Sequence, residues 1–219
     1  MIRAVTLKRH SPRLLLSAVA VGLLVAGSAR AAHPSVDARE LLEWVASTQD
    51  NAGMNYAVVD KRRATVSVLN GRGHLLGSSP VLLGAAVGDD SAPDIGTRPM
   101  AQVLLHERTT PAGRFLAEPG HNAKGEDIVW VDYDAAVSLH RVRLANPSDR
   151  RLHRLATPTV DDNRISYGCI NVPVKFYNNV LGPAMNGRGG VVYVLPETRP
   201  WKQVFLPSRT QAAAQQSAQ

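Results

Sequence analysis

The sequence predicts a mainly β domain that is preceded by one helix and carries a few short helices further along. Three observations lead there. The apolar period changes from helical to strand-like at Asn55. From that point short apolar segments are separated by breaks rich in glycine, proline and charge. The last of them, "GGVVYVLPE", is an uninterrupted strand pattern.

The chain opens with Lys8, Arg9 and Arg13 followed by the apolar run "LLLSAVAVGLLVAG" and then "SARAA", where Ala29 and Ala31 fit a small-x-small cleavage site. That combination is a secretory signal peptide over residues 1–31, with cleavage expected after Ala31. The run from Leu14 to Gly27 is shorter than the roughly 20 apolar residues a spanning helix needs, so release is expected over an uncleaved anchor. Export also removes Arg3, Lys8, Arg9, Arg13 and Arg30, and no acidic residue. The formal charge of +7 thereby becomes 20 basic against 18 acidic residues, or +2. The isoelectric point of about 10.0 therefore mostly describes the targeting segment, and no nucleic-acid partner is expected. The remaining chain of about 188 residues suits one domain with a sizeable core.

Residues 32–54 form the predicted helical extension. In "SVDARELLEWVASTQ" the residues Val36, Leu41, Leu42, Trp44 and Val45 share a face, and Asp37 with Glu40 has capping-box spacing. The domain proper is expected over 55–206. It begins with the hairpin "YAVVD" and "ATVSVLN" across the polar "KRR", followed by "HLLGSSPVLLGAAVG". A turn-rich loop, "DDSAPDIGTRPM", leads to a turn and strand in "ERTTPAGRFLAE" and to one or two strands in "DIVWVDYDAAVSLHRV". The segment 145–163 is polar, basic and proline-flanked and reads as a long loop with room for a helical turn around "SDRRLHRL". A short helix is expected from Val174 to Leu181, then the final strand. The tail, 207–219, lacks core-forming residues beyond alanine and is expected to be disordered.

Cys169 is the chain's only cysteine, so it has no intramolecular disulfide partner. It is an intermolecular bridge, a buried small hydrophobe or a reactive thiol. Gly168 before it allows close approach of a substrate, and neighbouring N–H groups can face an oxyanion. A free thiol is mostly protonated at neutral pH unless a base or a dipole helps, so a histidine partner is the feature to look for. His140 ends an apolar strand pattern, "AAVSLH", whereas His153 is nearer in sequence but lies among Arg150, Arg151 and Arg154. Those arginines read as solvated charge, with the carboxylates of an acidic peptide as the alternative. His74, His106 and His121 are scattered without metal-ligand spacing, so no metal is expected.

The stretch "ISYGCINVP" resembles the signature of the L,D-transpeptidase catalytic domain family. There a serine or threonine, a histidine, a glycine and the nucleophilic cysteine are followed by an apolar residue and often asparagine. Ser166, Gly168, Cys169, Ile170 and Asn171 match it. "TTPAGRF", residues 109–115, resembles that family's threonine-proline-x-glycine-x-phenylalanine segment, and "VSLHRV" resembles the strand delivering its histidine. The resemblance extends over roughly 55–195, with three departures. Tyr167 stands in place of the signature's histidine, Arg141 replaces a small residue, and the segment between His140 and Ser166 is longer than usual.

The resemblance implies a mixed β-sheet or sandwich. It implies a cysteine acyltransferase acting on peptidoglycan stem peptides, without cofactor, in the periplasm or extracytoplasmic wall space. Cys169 would be nucleophile and His140 base, with Tyr167 and Gly168 at the oxyanion and Arg164, Ser166 and Asn171 meeting substrate. A hydrolase on the same fold, either a carboxypeptidase or an amidase, and a non-catalytic peptidoglycan-binding protein are the alternatives.

Overall fold

Residue 55 is where the chain enters its sheet. The computed structural model describes residues 34–206, which fall within one compact unit. The expected signal peptide, its expected cleavage point after Ala31 and the tail 207–219 lie outside the described residues. Helix α1 runs Val36–Thr48 and is capped by Ser35, whose hydroxyl accepts from the Ala38 N–H at 3.1 Å. The expected Asp37–Glu40 box does not form. Asp37 pairs with Arg62, and Glu40 accepts from Trp201 Nε1 at 3.0 Å and pairs with Lys202. The buried stripe is Ala38, Leu41 and Val45, while Val36, at the first helical position, is exposed.

Ten strands follow: β1 (Tyr56–Asp60), β2 (Thr65–Leu69), β3 (Leu75–Pro80), β4 (Leu83–Gly84), β5 (Gly113–His121), β6 (Asp127–Asp132), β7 (Val137–Arg141), β8 (Arg164–Ser166), β9 (Ile170–Val172) and β10 (Gly190–Leu195). Eight of them make one mixed sheet in the order β3-β2-β1-β10-β5-β6-β7-β9. The pairs β1–β10 and β7–β9 are parallel, and the rest are antiparallel. Strands β4 and β8 form a small parallel pair, which a bridge between Leu82 and Asn171 joins to β9. The mainly β, mixed-sheet class expected from the sequence is the one observed.

Strands β1 and β10 are buried along their whole length, because both faces of the sheet are covered at its centre. On one face Tyr56, Val58, Val191 and Tyr193 pack with Leu41 and Val45 of α1 and with Trp201 of α5 (Trp201–Phe205). On the other, Ala57, Val59, Val192 and Val194 pack with Tyr177, Leu181 and Met185. These three come from a helical stretch: α3 (Val174–Phe176), a π turn (Tyr177–Leu181) and α4 (Gly182–Met185). Two-sided burial explains why "YAVVD" and "VVYVL" are continuous rather than alternating. It also makes α1, read from sequence as an extension, a part of the domain core.

The long basic segment is more ordered than a loop. It contains a 3₁₀ turn at Pro147–Asp149, helix α2 (Arg151–Ala156) and a second 3₁₀ turn at Val160–Asn163. Leu155 anchors it in a small core with Leu82, Val142 and Ile165. Among the described residues no helix is long and apolar enough to cross a membrane.

Candidate active site

The parallel pairing of β7 with β9 sets Leu139 beside Ile170 and His140 beside Asn171. One step earlier, Ser138 Oγ and Cys169 Sγ lie 3.7 Å apart. Side chains alternate along a strand, so Ser138, His140, Cys169 and Asn171 share one face while Leu139 and Ile170 enter the core. Cys169 is half-buried, and its thiol donates to the Ala136 carbonyl at 3.5 Å.

Several bonds hold the turn that carries Cys169. Ser166 Oγ donates to the Cys169 carbonyl at 2.6 Å and accepts from the Gly168 N–H at 3.1 Å. Gly168 has φ +127°, and a Cβ there would stand 2.8 Å from the Thr109 carbonyl oxygen, so the signature glycine is required twice over. Thr110 supplies the next tie. Its buried hydroxyl donates to the Gly168 carbonyl at 2.8 Å and accepts from the Gly84 N–H at 2.9 Å. The "TTPAGRF" segment therefore acts through Thr109 and Thr110 as the floor on which the cysteine turn rests.

Behind that floor lies a buried ion cluster that the sequence reading treated as a polar turn. Lys61 is fully buried. Its ammonium donates to Asp89 Oδ1 and to the Thr110 carbonyl, both at 2.8 Å, and lies 3.5 Å from Glu197 Oε1. Burial alone would raise the Asp89 pKa. Bonds from Lys61, Thr198 and the backbone N–H groups of Glu197 and Thr198 outweigh it and hold the carboxyl well below its usual range. Arg164 completes the cluster, its guanidinium held by Glu197 and the Lys61 carbonyl. The side chain of Arg164, expected at the substrate, is enclosed among these partners.

His140 Nδ1 lies 2.7 Å from the Arg141 carbonyl, and Nε2 lies 3.3 Å from Asn171 Nδ2. A carbonyl only accepts and an amide NH₂ only donates, so the ring proton sits on Nδ1 and Nε2 carries the lone pair. Burial is the main cause that lowers the His140 pKa to about 4. The nearby Arg143 and Arg151 act in the same sense, against the bond to the Arg141 carbonyl and the charge of Glu126. The imidazole is therefore neutral near pH 7 and can accept a proton. No hydrogen bond joins Cys169 to His140 among the described residues. His153 is exposed on α2.

The remaining expected residues fall as follows. Ser166 and Asn171 are buried and bond within the site, Asn171 Nδ2 also reaching the Cys169 carbonyl at 3.3 Å. The Gly168 N–H, expected at the oxyanion, donates to Ser166 Oγ. The half-buried ring of Tyr167 lies beneath the Arg108 guanidinium, 3.8 Å from centroid to Cζ, and its hydroxyl has no hydrogen-bond partner among the described residues. Arg151, read as solvated, donates to Asn171 Oδ1 at 2.9 Å. Sequence reasoning missed Ser138, although its signal was available: it stands two residues before His140 in a strand, hence on the same face. Among the described residues no three His, Cys, Asp or Glu side chains gather as a metal set.

No family model matches the chain, and no curated protein matches it in sequence. Its fold is similar to that of solved L,D-transpeptidases. One, from Enterococcus faecium, has 18% identity and a TM-score of 0.37, over 65% of this chain and 50% of that one. Another, from Mycobacterium smegmatis, has 18% identity and a TM-score of 0.36, over 64% and 58%. The helical cell shape determining protein of Campylobacter jejuni has 10% identity and a TM-score of 0.44, over 76% and 58%. The chain thus spans between 50% and 58% of the length of these three solved chains.

Proposed function

We propose that this protein is an exported cysteine acyltransferase of the L,D-transpeptidase type that acts on peptidoglycan stem peptides. The observation that carries the reading is the shared strand face of Cys169 and His140, with the imidazole proton held on Nδ1 by the Arg141 carbonyl. Turning the thiol from the Ala136 carbonyl toward Nε2, where it displaces the 3.3 Å hydrogen bond from the Asn171 amide, lets His140 take its proton, and catalytic hydrogen bonds commonly tighten only once substrate is bound. Sγ then attacks the carbonyl carbon at the L-centre of the diamino acid preceding the terminal D-alanine. The Cys169 N–H and the Tyr167 hydroxyl hold the oxyanion. Collapse breaks the C–N bond, His140 returns its proton to the leaving D-alanine amine, and a thioester remains on Cys169. An acceptor amine attacks that carbonyl and passes its proton to His140. The thiolate leaves and is reprotonated.

Incubating the mature protein with a disaccharide tetrapeptide and resolving the products by mass spectrometry tests the reading. Cross-linked dimer or amine-exchanged monomer is expected. A trimmed monomer alone would make the protein a hydrolase, and unchanged substrate would leave only binding.

The same assay measures the part of Tyr167. Tyr167→Phe keeps the ring beneath Arg108 and removes one oxyanion donor, so turnover should fall on the order of 10²-fold. Full activity in that variant would reduce Tyr167 to packing.

A further inference from the structure

The basic helix between His140 and the nucleophile is not accounted for by the acyl-transfer reading, yet it reaches the site. Arg151, at the start of α2, is held by Asp149 (Nε to Oδ2, 2.9 Å) and donates from a terminal nitrogen to Asn171 Oδ1 at 2.9 Å. A guanidinium has donors and no acceptor, so it can meet only the oxygen of that amide. The NH₂ end of Asn171 must then face the other way, toward His140 Nε2 and the Cys169 carbonyl, each 3.3 Å from Nδ2. Because that NH₂ only donates, Nε2 must accept, and the ring proton is confined to Nδ1. Asn171 is buried, so its amide has no water with which to exchange this arrangement.

Building on the acyl-transfer reading, we propose that Arg151 is a positioning residue: by fixing the Asn171 amide, it holds His140 in the tautomer whose Nε2 receives the thiol proton. Without Arg151 the amide is free to rotate and offer its oxygen to the ring, which favours a proton on Nε2 against the 2.7 Å contact of Nδ1 with the Arg141 carbonyl and so weakens the base.

The charged groups facing His140 are few. Arg143, just beyond β7, is paired with Glu126 at 2.7 Å, and Arg151 arrives from α2 paired with Asp149, while β9 contributes the uncharged Asn171 and the turn before it the thiol of Cys169. Since the positive charge of Arg151 lowers the His140 pKa, removing it should also move the acid limb of the rate to higher pH.

The test compares wild type, Arg151→Leu, Arg151→Lys, Asn171→Leu and the Arg151→Leu/Asn171→Leu double variant. Long-range ¹⁵N–¹H spectra read the His140 tautomer, and carbapenem acylation followed by intact mass reads the rate. Wild type should show the Nδ1–H tautomer. Arg151→Leu should populate Nε2–H and slow acylation by about 10- to 100-fold at saturating reagent, the effect of losing one charge-assisted hydrogen bond. Arg151→Lys should recover part of the rate, and in the Asn171→Leu background removing Arg151 should cost nothing more. An unchanged tautomer in folded Arg151→Leu, or a loss confined to reagent affinity and additive with Asn171→Leu, would overturn the proposal. The spectra need no activity. A wild type that fails to acylate, together with the tautomer shift in Arg151→Leu, would therefore sink the acyl-transfer reading and leave the positioning intact.

Discussion

Replacing Cys169 by alanine should abolish both the covalent adduct with a carbapenem and the release of D-alanine, and His140→Ala should slow acylation by about 10²- to 10⁴-fold. His153→Ala should leave the rate unchanged, because that side chain is exposed on α2 while His140 shares the strand face of the thiol. Intact-protein mass spectrometry over time resolves all three. The same adduct on Cys169→Ala, or a loss in the His153 variant that His140→Ala lacks, would move the chemistry elsewhere. The pH profile adds an independent check on the base. Burial lowers the His140 pKa to about 4. Its neutral form therefore persists on acidification past the point where an ordinary histidine would protonate, near 6.5. Acylation should keep its base down to about pH 5 and lose it as pH falls through the value near 4. An acid limb centred near 6.5 would exclude His140 in this setting.

Lys61→Met should be the most destabilising single change outside the site. It leaves the buried Asp89 carboxylate without a salt-bridge partner among the described residues and Glu197 with Arg164 alone, and removing one member of a buried pair typically costs about 3–5 kcal/mol. For a chain of this size that corresponds to a fall in Tm on the order of 10 °C, measurable by circular dichroism. The change also releases the Thr110 carbonyl, so acylation of Cys169 should slow even below the melting range. Acid acts on the same cluster through Asp89. Its folded pKa is depressed, so over the acidic range the unfolded chain binds a proton that the folded chain does not. The stabilisation is therefore complete above the usual carboxylate range and lost as pH falls through and below it. Asp89→Asn should be less stable at neutral pH and show a shallower decline in acid. A Lys61→Met variant within 1 kcal/mol of wild type would show that the cluster contributes little.

By itself the sequence determined the local matters. The change of period at Asn55 marked the start of the sheet. The unbroken apolar runs marked β1 and β10, and Gly168 with Cys169 marked the turn where a thiol could react. Each of these depends on spacing within a few residues, and periodicity and a glycine's freedom at positive φ are local properties. His140 was legible too, as a histidine closing an apolar strand.

Tertiary structure decided the partners. "KRR" between two strands has the composition of a solvated turn, but Lys61 is buried because Asp89 and Glu197, far along the chain, converge on it. Arg164 stands in the signature stretch, yet it belongs to that cluster. "RRLHR" has the look of surface charge. Leu155 draws α2 against Leu82 and Val142, and that docking brings Arg151 to Asn171. Ser35 rather than Asp37 caps α1, and Asp37 and Glu40 pair instead with Arg62 and Lys202 from elsewhere in the chain. A buried charge is tolerated only where the fold supplies its counter-charge, and a hydrogen bond is directed by groups many residues distant. A linear pattern carries residue types but not those distances, which is why the candidate thiol could be read from the chain while the network around His140 could not.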